Sequence, residues 1–206
     1  MTAKQTTTQH PVSAGNPCPF LRALVADGAL ADGVEPISNI VSTIGNVVKK
    51  GEGAPALRPA AIHFIAMVAN GLSPWAVLQS NLKGVRINAL RNGPLDKKGV
   101  GSGILNATGD VDPKELARLK DFASKKTSSS GATELGLSLD EITKFMDANF
   151  KRADGQRRRV DRMLMDGEWP VLLKVMGKDG PDGRYLSLAE VQELFGERRL
   201  PERMRS

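Results

Sequence analysis

The chain has 206 residues, 40% of them hydrophobic and 25% charged, with a formal net charge of +6. That balance fits a soluble globular protein with room for one ordinary core. A single cysteine excludes an intramolecular disulfide, and no apolar stretch reaches the length of a membrane span.

Residues 1–15 are polar and Thr-rich, with no apolar run of the secretory type. They read as a disordered arm ahead of one domain over 16–206, and a cytoplasmic location is expected. Cys18 then stands between Pro17 and Pro19, with an apolar helix pattern directly behind it. Pro19 suits the first helical position, because its missing N–H costs nothing there. Cys18 becomes the N-cap, its sulfur beside free amides and the positive end of the helix dipole. That setting favours a thiolate, the form that binds metals and attacks electrophiles. The plainer alternative is a small apolar residue packed in a core.

The first helix spans Pro19 to Ala26 and stops near Gly28; the second spans Ile37 to Val48, with Ile37, Ile40, Val41 and Ile44 on one face. Ala60 to Ala69 is apolar nearly all round, which predicts the most buried helix, with His63 as a hydrogen-bonded core residue. Pro74 to Leu82 gives a further short helix, and Lys83 to Ile87 suits a minor ribbon. The Gly-rich stretch 92–109 is long for an idle connection. Its Gly99 to Gly103 run lacks the Gly-Lys-Ser/Thr and the flanking strand of a phosphate cradle.

Asp112-Pro113-x-Glu115 opens a helix to about Ser124, and Lys125 to Ala132 reads as a Ser-rich linker. Ser138 to Glu141 is a capping box opening a helix through Phe150. Arg157 to Met165 and Trp169 to Met176 read as two helices broken at Asp166-Gly167. Asp179 to Gly183 is a turn, and Ser187 caps a helix over Leu188 to Phe195. No internal repeat is evident. The expected fold is mainly α, a single helical domain.

The arginines at 152, 157–159 and 162, and again at 198, 199, 203 and 205, are not interleaved with aromatics. No stacking platform for nucleic acid is indicated, so they read as a solvated helix face, with a pocket for an anionic cofactor as the alternative. Asp179 to Glu190 has an outline similar to an EF-hand loop. Gly and Arg at its fifth and sixth positions, and Pro181 among its ligand positions, argue against Ca²⁺.

Asn16-Pro-Cys-Pro-Phe-Leu-Arg-Ala-Leu-Val-Ala-Asp-Gly28 resembles the thiolate segment of the haem-thiolate peroxidases, that is, the chloroperoxidases and unspecific peroxygenases. Gly167-Glu168-Trp-Pro, followed by Asp182-Gly-Arg184 and Glu197 to Pro201, is similar to that family's acid–base glutamate segment and closing helix. Asp112 to Ser124 resembles the helix after its metal-binding loop. The order is kept over about residues 16–201.

The resemblance implies a chloroperoxidase-like helical fold and b-type haem held by Cys18 between Pro17 and Pro19. It implies hydrogen peroxide and a small organic molecule as substrates; from the residues themselves, neither a nucleic acid nor a membrane is expected as partner. Glu168 would be the proton shuttle, aided by Arg162 or, alternatively, Arg159. The non-enzymatic alternative is a haem-binding or haem-free protein on the same scaffold. The family's carboxylate motif for Mg²⁺ or Mn²⁺ is missing from the matching stretch Leu95 to Leu105, so no such ion is expected, and Lys97 or Lys98 would face a haem propionate instead. A rival register places Glu134 and Ser138 on that motif.

Overall fold

Pro19 opens α1 (Pro19–Ala26), and Gly28 closes it in the left-handed conformation at φ 74°. The structure, a computed structural model, describes residues 9–51, 58–91, 93–96, 101–154 and 159–205. Helices follow where the apolar spacing predicts them: α2 (Ile37–Lys50), α3 (Pro59–Val68) and α4 (Pro74–Lys83). The expected ribbon is present, with β1 (Val34–Glu35) antiparallel to β2 (Val85–Arg86). The segment ahead of α1 is tied down from Gln9 onward. His10 N–H donates to the Ala26 carbonyl at 3.0 Å, and Ser13 N–H donates to Asp32 at 2.7 Å.

Asp112 caps α5 (Pro113–Ala117), accepting from the amides of Lys114 at 2.8 Å and Glu115 at 3.3 Å. The helix then tightens into a 3₁₀ turn over Arg118–Asp121 and ends, short of the expected boundary. Here the expected fold class fails. Strands β3 (Ser124–Thr127), β4 (Thr133–Ser138), β5 (Lys178–Gly180) and β6 (Gly183–Ser187) form an antiparallel sheet in the order β3-β4-β6-β5. With 54% helix, 13% strand and two antiparallel sheets, the fold is mixed α/β rather than mainly α. The supposed linker contains β3. Its lysines carry no apolar alternation because β3 is an edge strand, stabilised by backbone pairing of Ser124 to Thr127 with Gly136 to Thr133.

The sheet also carries a short repeat. Leu137-Ser138-Leu139-Asp140-Glu141 leads into α6 (Leu139–Arg152), and Leu186-Ser187-Leu188-Ala189-Glu190 leads into α8 (Leu188–Gly196). Leu137 and Leu186 are directly opposed at the centre of the sheet, and both are buried. Each half is a hairpin followed by a helix, so the two halves are related by an approximate two-fold axis through that leucine pair. Four identical residues in five are too few to stand out in the linear sequence.

Between the halves runs α7 (Arg159–Met176), a single helix despite Gly167 and Pro170. Met165, Trp169, Leu172, Leu173 and Met176 recur at helical spacing and are all buried, so the apolar face carries the helix across the local breakers. Trp169 sets its position. It meets Phe145 edge-on at 5.1 Å and stacks on Phe195 at 6.1 Å. The C-terminal end returns to the N-terminal half: α8 packs on α1, and α9 (Glu202–Arg205) packs on α2.

The expectation for α3 is reversed. Only Ile62 and Ala66 of this helix are buried, whereas His63, Phe64 and Ile65 are exposed. An all-round apolar helix can be buried only if elements cover every side, and α3 has neighbours in α2 and α4 on part of its surface.

Candidate functional site

Cys18 occupies the position its neighbours dictate, as the N-cap of α1 in an extended conformation at φ −83° and ψ 115°. Its N–H donates to Asn16 Oδ1 at 3.2 Å, and its carbonyl accepts the Arg22 N–H at 2.9 Å. The side chain is half-buried and packs on the main core. Pro17 is half-buried and Pro19 buried, so the thiol stands between two rings with fixed φ.

Arg22, one turn along α1, is a residue that the sequence pattern does not single out. It is 4% exposed and reaches back beside the Cys18 backbone. Its guanidinium donates to the carbonyls of Ser13 at 3.0 Å, Asn16 at 3.0 Å and Gly109 at 2.9 Å. Burial lowers its proton affinity, and the positive charges of Arg198 and Arg91 add to that against Asp32 and Asp110. Four polar atoms of this corner are buried without a hydrogen-bond partner: the donors Arg22 Nε, Arg91 Nε and Asn16 Nδ2, and the acceptor Asp32 Oδ1. Unmet buried polar atoms are uncommon, and these lie where Arg22, Arg91 and Arg198 are opposed by Asp32 and Asp110.

The other expected site residues, Glu168 and Arg162, lie on different faces of α7. Glu168 is half-buried, next to the anchoring Trp169. Arg162 lies six residues earlier, about 120° around the helix from Glu168. Its guanidinium is shared by Asp147 of α6, at 2.8 Å, and by Asp166. Burial alone would lower the Arg162 proton affinity, and the two aspartates reverse that. The Arg159 side chain, Lys97 and Lys98 lie outside the described residues.

Glu134, the rival metal ligand, accepts from Lys178 Nζ at 2.8 Å, Tyr185 OH at 2.9 Å and Ser187 Oγ at 2.5 Å. Lys178 also reaches Glu190 at 3.4 Å, and Glu190 pairs with Arg203 at 2.7 Å. Burial would raise the Glu134 carboxyl, but these donors outweigh it and hold it below the usual range. In the EF-hand-like loop, Asp179 is likewise paired with Arg184 at 2.8 Å. Protein cations therefore occupy these carboxylates. Among the described residues, no three His, Cys, Asp or Glu side chains are grouped as metal ligands.

An open apolar groove of about 570 Å³ lies between α2 and α3, lined by Val41, Pro59, His63, Phe64 and Met67 among others. Neither Cys18 nor Glu168 lines it. Of the groups a haem ligand would use, Cys18 offers a helix-capping thiol on a fixed backbone, and its neighbours offer unmet buried donors set against the unmet Asp32 Oδ1. No family model, curated protein or solved structure matches the chain.

Proposed function

We propose that the chain is a haem-thiolate protein, with Cys18 as the axial ligand, that oxidises a small organic substrate with hydrogen peroxide. The observation that carries this reading is the setting of Cys18 as a half-buried N-cap, with Arg22 and Asn16 presenting unmet donors around it. When bound, haem with a thiolate ligand supplies O–O bond cleavage, promoted by electron density from the sulfur.

The protein's own residues do the rest. Pro17 and Pro19 restrict the backbone on either side of the ligand and leave no N–H of their own to compete for it. Arg22 pins Ser13, Asn16 and Gly109 together, so the thiol is held on a rigid base. Asn16 Nδ2 and Arg22 Nε, buried and unmet, would become donors to an acidic group of the ligand if this corner opens. Glu168 takes a proton from one peroxide oxygen and returns it to the other, the role its family counterpart implies. No divalent cation enters this reading, because the donors around Glu134 already use both its oxygens.

A second reading is favoured by the position of the groove, which neither Cys18 nor Glu168 lines, and by the engagement of Arg162 with two aspartates. It is a protein without peroxide chemistry, haem-binding or haem-free, on the same scaffold. Purification with added haem, followed by the absorption spectrum of the reduced carbonyl complex, tests both. A red-shifted Soret band typical of thiolate ligation, lost in Cys18→Ala, supports the first. Absence of haem uptake by the wild-type chain leaves the haem-free reading.

A further inference from the structure

The pair α3–α4 turns its apolar residues outward. On α4, Trp75, Leu78 and Leu82 recur at i, i+3 and i+7, and are 67%, 44% and 73% exposed, while the polar Ser80 is buried. This is the reverse of a helix lying on a core. On α3, Phe64 and Ile65 are exposed, and Leu72 in the connection between the two helices is exposed as well. Isolated surface leucines need no explanation, but six large apolar side chains on two packed helices and their connection do.

The formal charges within this stretch of sequence are of one sign. From Gly53 to Leu95 the chain has no aspartate or glutamate, while Arg58, Lys83, Arg86 and Arg91 fall inside that stretch. Arg58 stands at the start of α3 and Lys83 at the end of α4, both exposed, with exposed Lys49 and Lys50 at the end of α2. The connecting end of the pair thus carries Leu72 and Trp75, and its chain ends carry the cations. An exposed apolar face with basic residues at its chain ends is the pattern of an element lying in a bilayer interface.

We propose that α3 and α4 dock this protein on a membrane surface rich in anionic lipid. Leu72, Trp75, Leu78 and Leu82 enter the headgroup–acyl boundary, and Arg58 and Lys83 meet lipid phosphates. A second copy of the chain fits the face less well, because two basic margins would be brought together on a protein already carrying a net charge of +6. No helix among the described residues is long and apolar enough to cross a membrane. Lying in an interface needs no such length. The absence of a spanning segment therefore does not exclude a membrane partner, and this inference stands independently of the haem reading.

The test uses the full chain with vesicles of phosphatidylcholine alone or mixed with phosphatidylglycerol. The two tryptophans serve as reporter and reference: Trp75 is exposed, whereas Trp169 is 2% exposed. Mixed vesicles should co-sediment the protein, shift its emission to the blue and allow quenching by brominated acyl chains, all lost in Trp75→Phe as regards emission. The double variant Leu78→Ser, Leu82→Ser should abolish co-sedimentation with an unchanged thermal melt, since both positions are exposed. Each of Arg58→Gln and Lys83→Gln should weaken partitioning onto mixed vesicles about fivefold. Failure to bind either vesicle overturns the proposal, as does equal binding to both. Concentration-dependent dimerisation in solution that the leucine variant removes would assign the face to self-association instead, and also overturns it.

Discussion

Arg22 and Asn16 are joined by a hydrogen bond of 3.0 Å from the guanidinium to the main-chain carbonyl, across the backbone of the cysteine between them. Asn16 in turn accepts the Cys18 N–H on its side chain, so one residue connects the buried cation to the cap. Asn16 and Arg22 thus secure a cap position that the Pro-Cys-Pro run already sets.

Arg22→Met should be strongly destabilising, because the carbonyls of Ser13, Asn16 and Gly109 all lose their donor in a buried corner. A loss of about 2–4 kcal/mol is expected, combining unmet acceptors with lost charge-assisted bonds. Arg22→Lys should recover only part, since an ammonium lacks the planar fork that serves three carbonyls. Urea unfolding of the three proteins measures this, and a wild-type midpoint for Arg22→Met would show that the corner contributes nothing.

Glu168→Gln, in haem-loaded protein, should leave the thiolate spectrum intact and slow the reaction with hydrogen peroxide by about 10²–10⁴-fold, the usual contribution of a positioned acid–base group. Arg162→Gln should act mainly on stability, by up to about 1 kcal/mol, because its charge is spent on Asp147 and Asp166 at a largely exposed site. Stopped-flow kinetics alongside thermal melts separate the two effects. An unaltered peroxide rate in Glu168→Gln removes the mechanistic part of the proposal.

Acid stability should depend on Glu141. Burial alone would raise this carboxyl, but hydrogen bonds from Lys126, Ser124 and Ser138 outweigh it and bring it from 4.5 to about 2. A carboxyl depressed in the folded state adds stability that is complete above its unfolded value and is lost as the pH falls toward its folded one. The window is thus from above 4.5 down to about 2. Glu141→Gln should be less stable at neutral pH by about 2–3 kcal/mol. Its stability should also fall less steeply than that of the wild type across that window. A parallel pair of pH profiles would contradict the assignment.

Gly136→Ala probes the sheet. A Cβ there would lie 2.4 Å from Tyr185 Cδ2 and 2.9 Å from the Leu186 carbonyl oxygen, on the strand opposite. Neither neighbour can retreat without disturbing the ladder, so about 1–3 kcal/mol of destabilisation is expected. A thermal melt equal to wild type would be incompatible with the β4–β6 register.

The local signals were read correctly wherever chain stereochemistry alone decides them. Pro19 and Gly28 bound α1, Asp112 caps α5, and the Ser138–Glu141 box opens α6, since each acts on backbone groups only a few residues away. The Cys18 cap belongs to the same class. Three features were not legible. The continuity of α7 through Gly167 and Pro170 comes from Trp169 packed between Phe145 and Phe195, far off in sequence. Strand β3 has no apolar alternation, because it is held by backbone pairing at a sheet edge. Arg22 looks like an ordinary helix cation until the loop carrying Gly109 closes over it.

The sequence by itself determined where most helices begin, through their caps and first-turn prolines, and it placed a lone cysteine at a helix N-terminus. These are effects of φ restriction, capping and spacing that reach only a turn or so along the chain. Only the tertiary structure decided which apolar faces are covered, because coverage depends on neighbours brought in from elsewhere. It paired Leu137 with Leu186 at the centre of a sheet, closed a buried corner around Arg22, and left Trp75, Leu78 and Leu82 facing outward. Hydropathy is a property of a residue, whereas burial is a property of the residues packed around it.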